Sequence, residues 1–394
     1  MATYAAVTTG KGSAAIATLQ IVGPEARAIL QDAFRPASAQ PAPLQPGRVT
    51  LGSIVDDDRV IDQVTVGCES TESLAIHCHG NPLIVEVIAQ LLGRSGAALC
   101  TPEQLLTQLA LLERPCSTIA VEARIAQLHA RTLEGTKLIA NQPHSGLAGI
   151  ANRWLEQVGT IKVDDIRSDA TEILARSEIA KLIIHGCTVA LIGPPNTGKS
   201  TLFNVLAGRD RAIVSHIEGT TRDWIETQHR IGPLDTTLVD TAGLDAILTA
   251  KDGNSIDDEA QTGSTQILDR ADVVLFVLDN SRSAEQLNQS VLSALQKNRV
   301  LTVLNKSDLP PAFDQAVLPS SLAPPVHISA RQGAGLDTLR QRVLAITHTA
   351  AFDLHAPVAF TDRQSNLLGR IAQTSTQTHA TECIKRLLKE PLAV

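Results

Sequence analysis

Gly193-Pro194-Pro195-Asn196-Thr197-Gly198-Lys199-Ser200 follows the apolar run Cys187-Thr188-Val189-Ala190-Leu191-Ile192 and leads into Thr201-Leu202-Phe203-Asn204-Val205-Leu206-Ala207. The octapeptide fits G-x-x-x-x-G-K-[ST]. Its flanks supply what that spacing needs, a β-branched strand before it and a helix after it. Glycines let the backbone turn tightly enough for its N–H groups to point at phosphate oxygens. The helix N-terminus adds partial positive charge. Lys199 then reaches the outer phosphates and Ser200 ligates Mg2+, with Asn196, Thr197, Gly198 and Thr201 completing the cradle. Taken alone, the stretch also fits a plain Gly/Pro turn between strand and helix.

Three further signals follow in order. Val239-Asp240-Thr241-Ala242-Gly243 ends a strand; Asp240 holds Mg2+ through water and the Gly243 N–H meets the γ-phosphate. Leu304-Asn305-Lys306-Ser307-Asp308 ends another. Its N-K-x-D spacing reads guanine, because a carboxylate at Asp308 accepts from the ring N1–H and the 2-amino group, a pair adenine does not offer. That disfavours an ATP-using enzyme. Ile328-Ser329-Ala330 is the short turn that supports the base. Between the first two lies Gly219-Thr220-Thr221-Arg222-Asp223, with Thr221 the candidate switch threonine on Mg2+. Each motif alone is weak beside the first. Together, in one order and each at a strand end, they point to a guanine-nucleotide site.

Outward from this stretch, the apolar runs Thr188–Ile192, Thr237–Val239, Val273–Leu278, Val300–Leu304 and Val326–Ile328 alternate with helical segments. Such alternation predicts a mostly parallel sheet covered on both faces. Before it, Ile119, Val121, Ala123, Ile125, Leu128, Ile173, Leu174, Ile179 and Leu182 recur at helical intervals, and the tail 347–394 reads as helical again. The first block alternates strand runs (4–7, 14–22, 48–55, 60–67, 74–77) with helical stretches from Pro24 and over 81–92; residues 36–47, rich in Pro and Ala, read as an extended loop. The expected fold is α/β: a P-loop nucleotide domain (187–346) inserted in a helical domain (118–186 with 347–394), preceded by a small α+β N-terminal domain (1–117).

Composition narrows the class. A chain of 394 residues holds two to three domains, and 43% hydrophobic with 19% charged residues is enough to build ordinary cores. With six Phe, two Trp and one Tyr, those cores are aliphatic, and a base-stacking RNA-binding sheet is strongly disfavoured. A net charge of −7 excludes a globally basic nucleic-acid binder. No apolar run is long enough to span a membrane, and the first residues lack the signal-peptide pattern. Cys68, Cys78, Cys100, Cys116, Cys187 and Cys383 form no C-x-x-C pair, which fits a reduced, cytoplasmic protein. His77 and His79 share one face of a strand, but two ligands do not make a structural metal site. Lys385, Arg386 and Lys389 form a small basic cluster that fits either a solvated helix face or tRNA phosphates.

Gly193–Gly243, with Pro195-Asn196, Ala212-Ile213-Val214 and Gly219-Thr220-Thr221-Arg222-Asp223, resembles the MnmE (TrmE) family of tRNA-modification GTPases. The segment Tyr4 to Val22 and His79-Gly80-Asn81-Pro82, against a family His-Gly-Gly-Pro, are similar to its N-terminal domain. The resemblance implies GTP and GDP as ligands, Mg2+, and hydrolysis assisted by K+. The K+ ligands would be the Asn196 side chain and the loop Ser215–Thr220, with Ser215, Ile217 and Thr220 as the contacts. Leu244 stands where Ras-type enzymes carry a water-orienting Gln, and the acidic Asp257, Asp258 and Glu259 fall where the family places a catalytic acid, with Thr221 beside the reacting phosphate. It also implies a homodimer through the nucleotide domains, an FAD-dependent partner enzyme and tRNA wobble uridine as the target. Two departures stand out. Gln20 and Ala75 align with the family's Arg and Glu contacts to formyl-tetrahydrofolate and its Lys contact falls near Pro115, which leaves folate without its anchors. The family's terminal Cys-Ile-Gly-Lys has only Cys383-Ile384-Lys385 as a counterpart, inside a helical stretch. The competing expectation is a diverged GTP-dependent switch or assembly module without folate or tRNA-modification chemistry.

Overall fold

The computed structural model of the chain describes residues 2–10, 12–38, 44–112, 117–208, 212–215, 224–240, 268–287, 292–293, 295 and 299–390, with 111–112, 212–215 and 224–225 described for the backbone alone. The chain divides into two compact units, Met1–Ile125 with Leu387–Val394, and Ala126–Arg386.

In the first unit, strands β1 (Tyr4–Val7), β2 (Ile16–Val22), β3 (Phe34–Pro36), β4 (Arg48–Asp56), β5 (Arg59–Ser70), β6 (Ser73–His79) and β7 (Ala98–Leu99) form one sheet in the order β3-β4-β5-β6-β2-β1-β7. Its neighbours pair antiparallel except β1 and β7. Alternation sends Leu19 and Ile21 of β2 and Leu74, Ile76 and Cys78 of β6 to one face. Helices α1 (Ala26–Ala33) and α2 (Pro82–Arg94) contribute Ile29, Leu30, Ile88 and Leu92 to the same core. The start of α2 follows from three residues. The Asn81 side chain accepts from the Leu83 N–H at 2.9 Å, and Pro82 needs no donor in the first turn. Gly80 is required because a Cβ there would stand 2.3 Å from the Ala14 carbonyl oxygen. Helix α3 (Pro102–Leu112) follows β7.

The second unit opens with helices, among them α5 (Leu133–Asn141), α6 (Leu147–Glu156) and α7 (Val163–His185); α4 (Thr118–Gln127) precedes them. Its sheet holds β8 (Cys187–Ile192), β9 (Ala212–Ser215), β10 (Trp224–Ile231), β11 (Leu234–Asp240), β12 (Val273–Asp279), β13 (Val300–Asn305) and β14 (Val326–His327), in the order β14-β13-β12-β8-β11-β10-β9. The five runs read from the sequence are its parallel strands. The antiparallel β9 and β10 extend it beyond them. Helices α8 (Lys199–Ala207), α9 (Leu336–Ile346) and α10 (Asp362–Gln373) also belong to this unit, and α11 (Gln377–Lys389) runs from it past its last residue, Arg386. One core cluster joins Leu191, Phe203, Leu238, Leu275, Val303 and Leu339, and a second, containing Phe276, Leu278, Leu304 and Phe313, carries residues of the opposite parity along β12.

The tail corrects the expectation in part. Residues 375–389 are almost wholly helical, but 350–361 are not. Pro357 lacks an N–H and disfavours helix at Ala356. The buried backbone that follows is satisfied by side chains instead: Val358 N–H donates to Gln142 Oε1 at 3.0 Å, Ala359 N–H to Ser177 Oγ at 2.8 Å and Phe360 N–H to Gln364 Oε1 at 3.0 Å.

Candidate nucleotide-binding site

The site begins where β8 leaves the core. Gly193 sits at φ +154° against β12, and a Cβ there would lie 2.0 Å from the Val277 carbonyl oxygen. Asn196 and Gly198 take left-handed conformations at φ +65° and +90°. The turn ends at Lys199, the first residue of α8, whose N-cap Gly198 offers no capping side chain. The first amides of α8 therefore face an open end that suits an anion. Lys199 is buried, and its Nζ donates to the Gly193 and Pro194 carbonyls at 2.9 Å each. Thr197 Oγ1 donates to the Pro194 carbonyl at 3.0 Å. Ser200 and Thr201 are exposed in the first turn.

On the neighbouring strand, Asp240 ends β11 opposite Leu191 of β8. Its side chain is buried, and Oδ1 has no hydrogen-bond partner. An unpaired buried carboxylate oxygen is costly unless a cation completes it. With the Ser200 hydroxyl, this donor set fits a hard, oxygen-seeking ion such as Mg2+.

The guanine end is tied to the phosphate end. Asn305 closes β13; its Nδ2 donates to the Thr197 carbonyl at 2.9 Å and its Oδ1 accepts from the Ala330 N–H at 2.9 Å. Gly198 has no side chain because this amide passes above it: a Cβ would stand 2.4 Å from Asn305 Nδ2. Lys306, at φ +63°, donates from Nζ to the Asn196 carbonyl at 2.7 Å. Asp308 is exposed, and the Ser329 side chain bonded to it is the main cause holding its carboxyl below the usual range. Ser329 itself is buried, its N–H donating to the Ala334 carbonyl at 3.0 Å. Asn196, Thr197, Lys306, Asp308, Ser329 and Ala330 thus lie on loops at one end of the sheet, with Lys199 opening α8 and Asn305 closing β13 beside them.

Asp279, the last residue of β12, belongs to none of the motifs read from the sequence. Its buried Oδ2 accepts from Lys306 Nζ at 2.7 Å. An acidic residue ending the unbroken apolar run Val273–Leu278 was the available signal. Ser215 ends β9 opposite Trp224. Ile217, Thr220, Thr221, Gly243, Asp257, Asp258 and Glu259 lie outside the described residues.

Two of the folate positions, Gln20 and Ala75, offer an anionic ligand no positive charge. Gln20 and Ala75 face each other across β2 and β6. The Gln20 amide donates to Glu69 Oε2 at 3.0 Å and to Ser73 Oγ at 3.3 Å, and Ser73 donates to the same carboxylate at 2.9 Å. Where an arginine would meet a carboxylate ligand, the chain presents a carboxylate of its own. Pro115 is outside the described residues. His77 and His79 bond separately, His77 Nδ1 with Thr18 Oγ1 at 3.0 Å and His79 Nδ1 with Asp62 Oδ1 at 2.7 Å. Among the described residues no group of three or more His, Cys, Asp or Glu is arranged to hold a metal. Nor is any described helix long and apolar enough to cross a membrane.

Comparison with known proteins matches both parts of the chain. Residues 188–306 match the family model of the 50S ribosome-binding GTPase, and residues 3–104 that of the GTP-binding protein TrmE N-terminus. The tRNA modification GTPase MnmE of Bacteroides thetaiotaomicron is 30% identical over 394 residues, covering 88% of this chain and 82% of that protein. That of Thermotoga maritima is 28% identical over 428 residues, covering 100% of this chain and 92% of that protein. Among solved structures, the G domain of the T. maritima FeoB iron transporter is 25% identical over 41% of this chain and 99% of that one, with a TM-score of 0.33. With its phosphate and guanine loops placed as described, and with a relative of 30% identity spanned over most of its length, this chain is a GTPase of the MnmE family.

Proposed function

We propose that this chain couples GTP hydrolysis to modification of the tRNA wobble uridine, acting in the cytoplasm beside an FAD-dependent partner enzyme. The observation that carries this reading is the presence in one chain of a match to the TrmE N-terminus and a guanine site latched to its phosphate loop. Similarity to tRNA modification GTPases over most of both lengths supports it over a diverged switch without tRNA chemistry.

The residues divide the work by their chemistry. Asp308 selects guanine, while Asn305 and Lys306 hold its loop to the phosphate cradle. Lys199 and the amides opening α8 bind the phosphates. Ser200, Asp240 and Thr221 would hold Mg2+, which neutralises charge developing on the phosphate oxygens. Asn196 and the Ser215, Ile217 and Thr220 segment would hold K+, placing a second cation where other GTPases use an arginine. Leu244 has no group to polarise water, so Asp257, Asp258 and Glu259 supply the acid that positions it. Two copies meet through their nucleotide domains across the K+ segment. The folate positions play no part in this scheme.

The test has two arms. GTP turnover by the purified chain is compared in K+ and in Na+, with gel filtration in GDP and aluminium fluoride reporting dimerisation. The wobble nucleoside of cellular tRNA is measured by mass spectrometry in cells lacking this chain, with and without the wild-type gene restored. Unchanged wobble modification in the deleted strain refutes the tRNA role. Equal turnover in the two salts refutes the K+ role.

A further inference from the structure

Asp279 is a buried carboxylate at the edge of the nucleotide site to which none of the motifs gives a role. Its side chain is 2% exposed. Oδ1 accepts from the Ser281 N–H at 2.9 Å and from Ser281 Oγ at 2.7 Å. Oδ2 accepts from Lys306 Nζ at 2.7 Å, and Arg282 Nε lies 3.5 Å from the same oxygen. The carboxylate is therefore fixed by Ser281 on one oxygen and spends the other on Lys306.

Lys306 uses the same ammonium to reach the Asn196 carbonyl at 2.7 Å. A lysine ammonium on a flexible stem is strongly hydrated and does not choose such a carbonyl unaided. Pinned by a charge that is itself fixed, it loses that freedom before nucleotide arrives. Two consecutive carbonyls of the phosphate loop, Asn196 and Thr197, are thus held by two consecutive residues of the guanine loop, Lys306 and Asn305. Asn305 makes its bond as a neutral amide. The Lys306 bond depends on the charge at Asp279.

We propose that Asp279 is a positioning residue for nucleotide binding, acting through Lys306 to fix the phosphate loop against the guanine loop. A purely structural role as the end of β12 is filled by another residue. Gln286 Oε1 accepts from the Asp279 N–H at 2.9 Å, and Gln286 Nε2 donates to the Asp279 carbonyl at 2.9 Å. The backbone there is held without the carboxylate.

The experiment compares Asp279→Asn and Gln286→Ala with wild type in the full chain. Dissociation of a fluorescent GDP is measured by displacement, and steady-state GTP turnover at saturating K+. Asp279→Asn keeps the side-chain volume and removes the charge. It is expected to release GDP about tenfold faster and to raise the KM for GTP by a similar factor, with kcat within about twofold. Gln286→Ala is expected to leave both within about twofold. Wild-type dissociation in Asp279→Asn overturns the proposal. So does a fall in kcat at unchanged KM, which marks loss of folded protein. An equal effect of Gln286→Ala overturns it too, because strand-end geometry and not charge would then be responsible.

Discussion

Asn305 and Thr197 are 108 residues apart, yet the Asn305 amide donates to the Thr197 carbonyl at 2.9 Å, so the base-reading loop and the phosphate loop form one hydrogen-bonded body. The same side chain accepts from the Ala330 N–H, which joins the third loop to them. Asn305→Ala leaves both backbone groups without this partner in a buried place. Each such loss costs about 1–3 kcal/mol. Equilibrium binding of GDP is expected to weaken by at least about tenfold. Affinity within twofold of wild type would show that the loops are held together by something else.

If Asp308 reads the base, its substitution must change which nucleotide binds. Its carboxylate offers only acceptors, matching the two N–H donors on the guanine edge. Asp308→Asn replaces one acceptor with a donor, which fits the carbonyl that xanthine carries in place of the 2-amino group. The variant is expected to prefer XTP to GTP in competition binding. Retained GTP preference would remove Asp308 as the reader.

The same carboxyl predicts an acid limit. The Ser329 bond holds it below the ordinary value, outweighing its slight desolvation. It stays ionised as pH falls through the usual carboxylate range, and loses its acceptor only on protonation below that. GDP affinity is expected to be flat from neutral pH down through the usual carboxylate range and to fall only beneath it. Asp279 behaves alike. Burial pushes its carboxyl up, but the bonds from Lys306 and Ser281 prevail and hold it low. A group depressed on folding stabilises above its unfolded value and loses that contribution as pH falls through the folded one. A binding transition near pH 6 would implicate a histidine instead.

Much of the site was legible because its signals are local. Gly193 to Ser200 and Asn305 to Asp308 are short spacings that carry their own backbone geometry, including the left-handed Asn196, Gly198 and Lys306. Asp279 was not legible, because its meaning is set by Lys306, 27 residues away. Strand β10 is hidden in the sequence because Glu226, Gln228 and Arg230 break the apolar run, although Ile225 and Ile231 keep the alternation of a strand paired on both sides. Ala356-Pro357-Val358-Ala359-Phe360 reads as apolar tail in sequence. Its extended course depends on Gln142, Ser177 and Gln364, none of which the local pattern announces.

If Asn196 is the side-chain ligand of a monovalent cation, its loss must change salt selectivity more than nucleotide binding. The backbone carbonyl that Lys306 holds is kept in Asn196→Ala. GDP affinity is therefore expected to fall less than fivefold, an effect of about 1 kcal/mol. The turnover advantage of K+ over Na+ is expected to disappear. A variant that keeps its K+ advantage would place the ion elsewhere.

Gln142 gives the sharpest test of stability away from the nucleotide. It is fully buried and makes four bonds: Nε2 donates to the Leu138 and Ala356 carbonyls at 2.9 and 3.0 Å, and Oε1 accepts from the Leu147 and Val358 N–H groups at 2.9 and 3.0 Å. Gln142→Ala removes the partner of two buried donors and opens a cavity, so unfolding in urea is expected to become about 3 kcal/mol easier. Gly146 supplies an independent check, because a Cβ there would stand 2.5 Å from Gln142 Oε1. Gly146→Ala should therefore destabilise the wild-type chain by displacing that oxygen, and should cost less where Gln142 is already alanine, since the Oε1 and Cδ it strikes are gone and only the residue 142 Cα, 2.9 Å from the same Cβ, remains in its way. Such non-additivity is what direct contact produces. Strictly additive costs would mean that Gly146 serves the start of α6 and not Gln142.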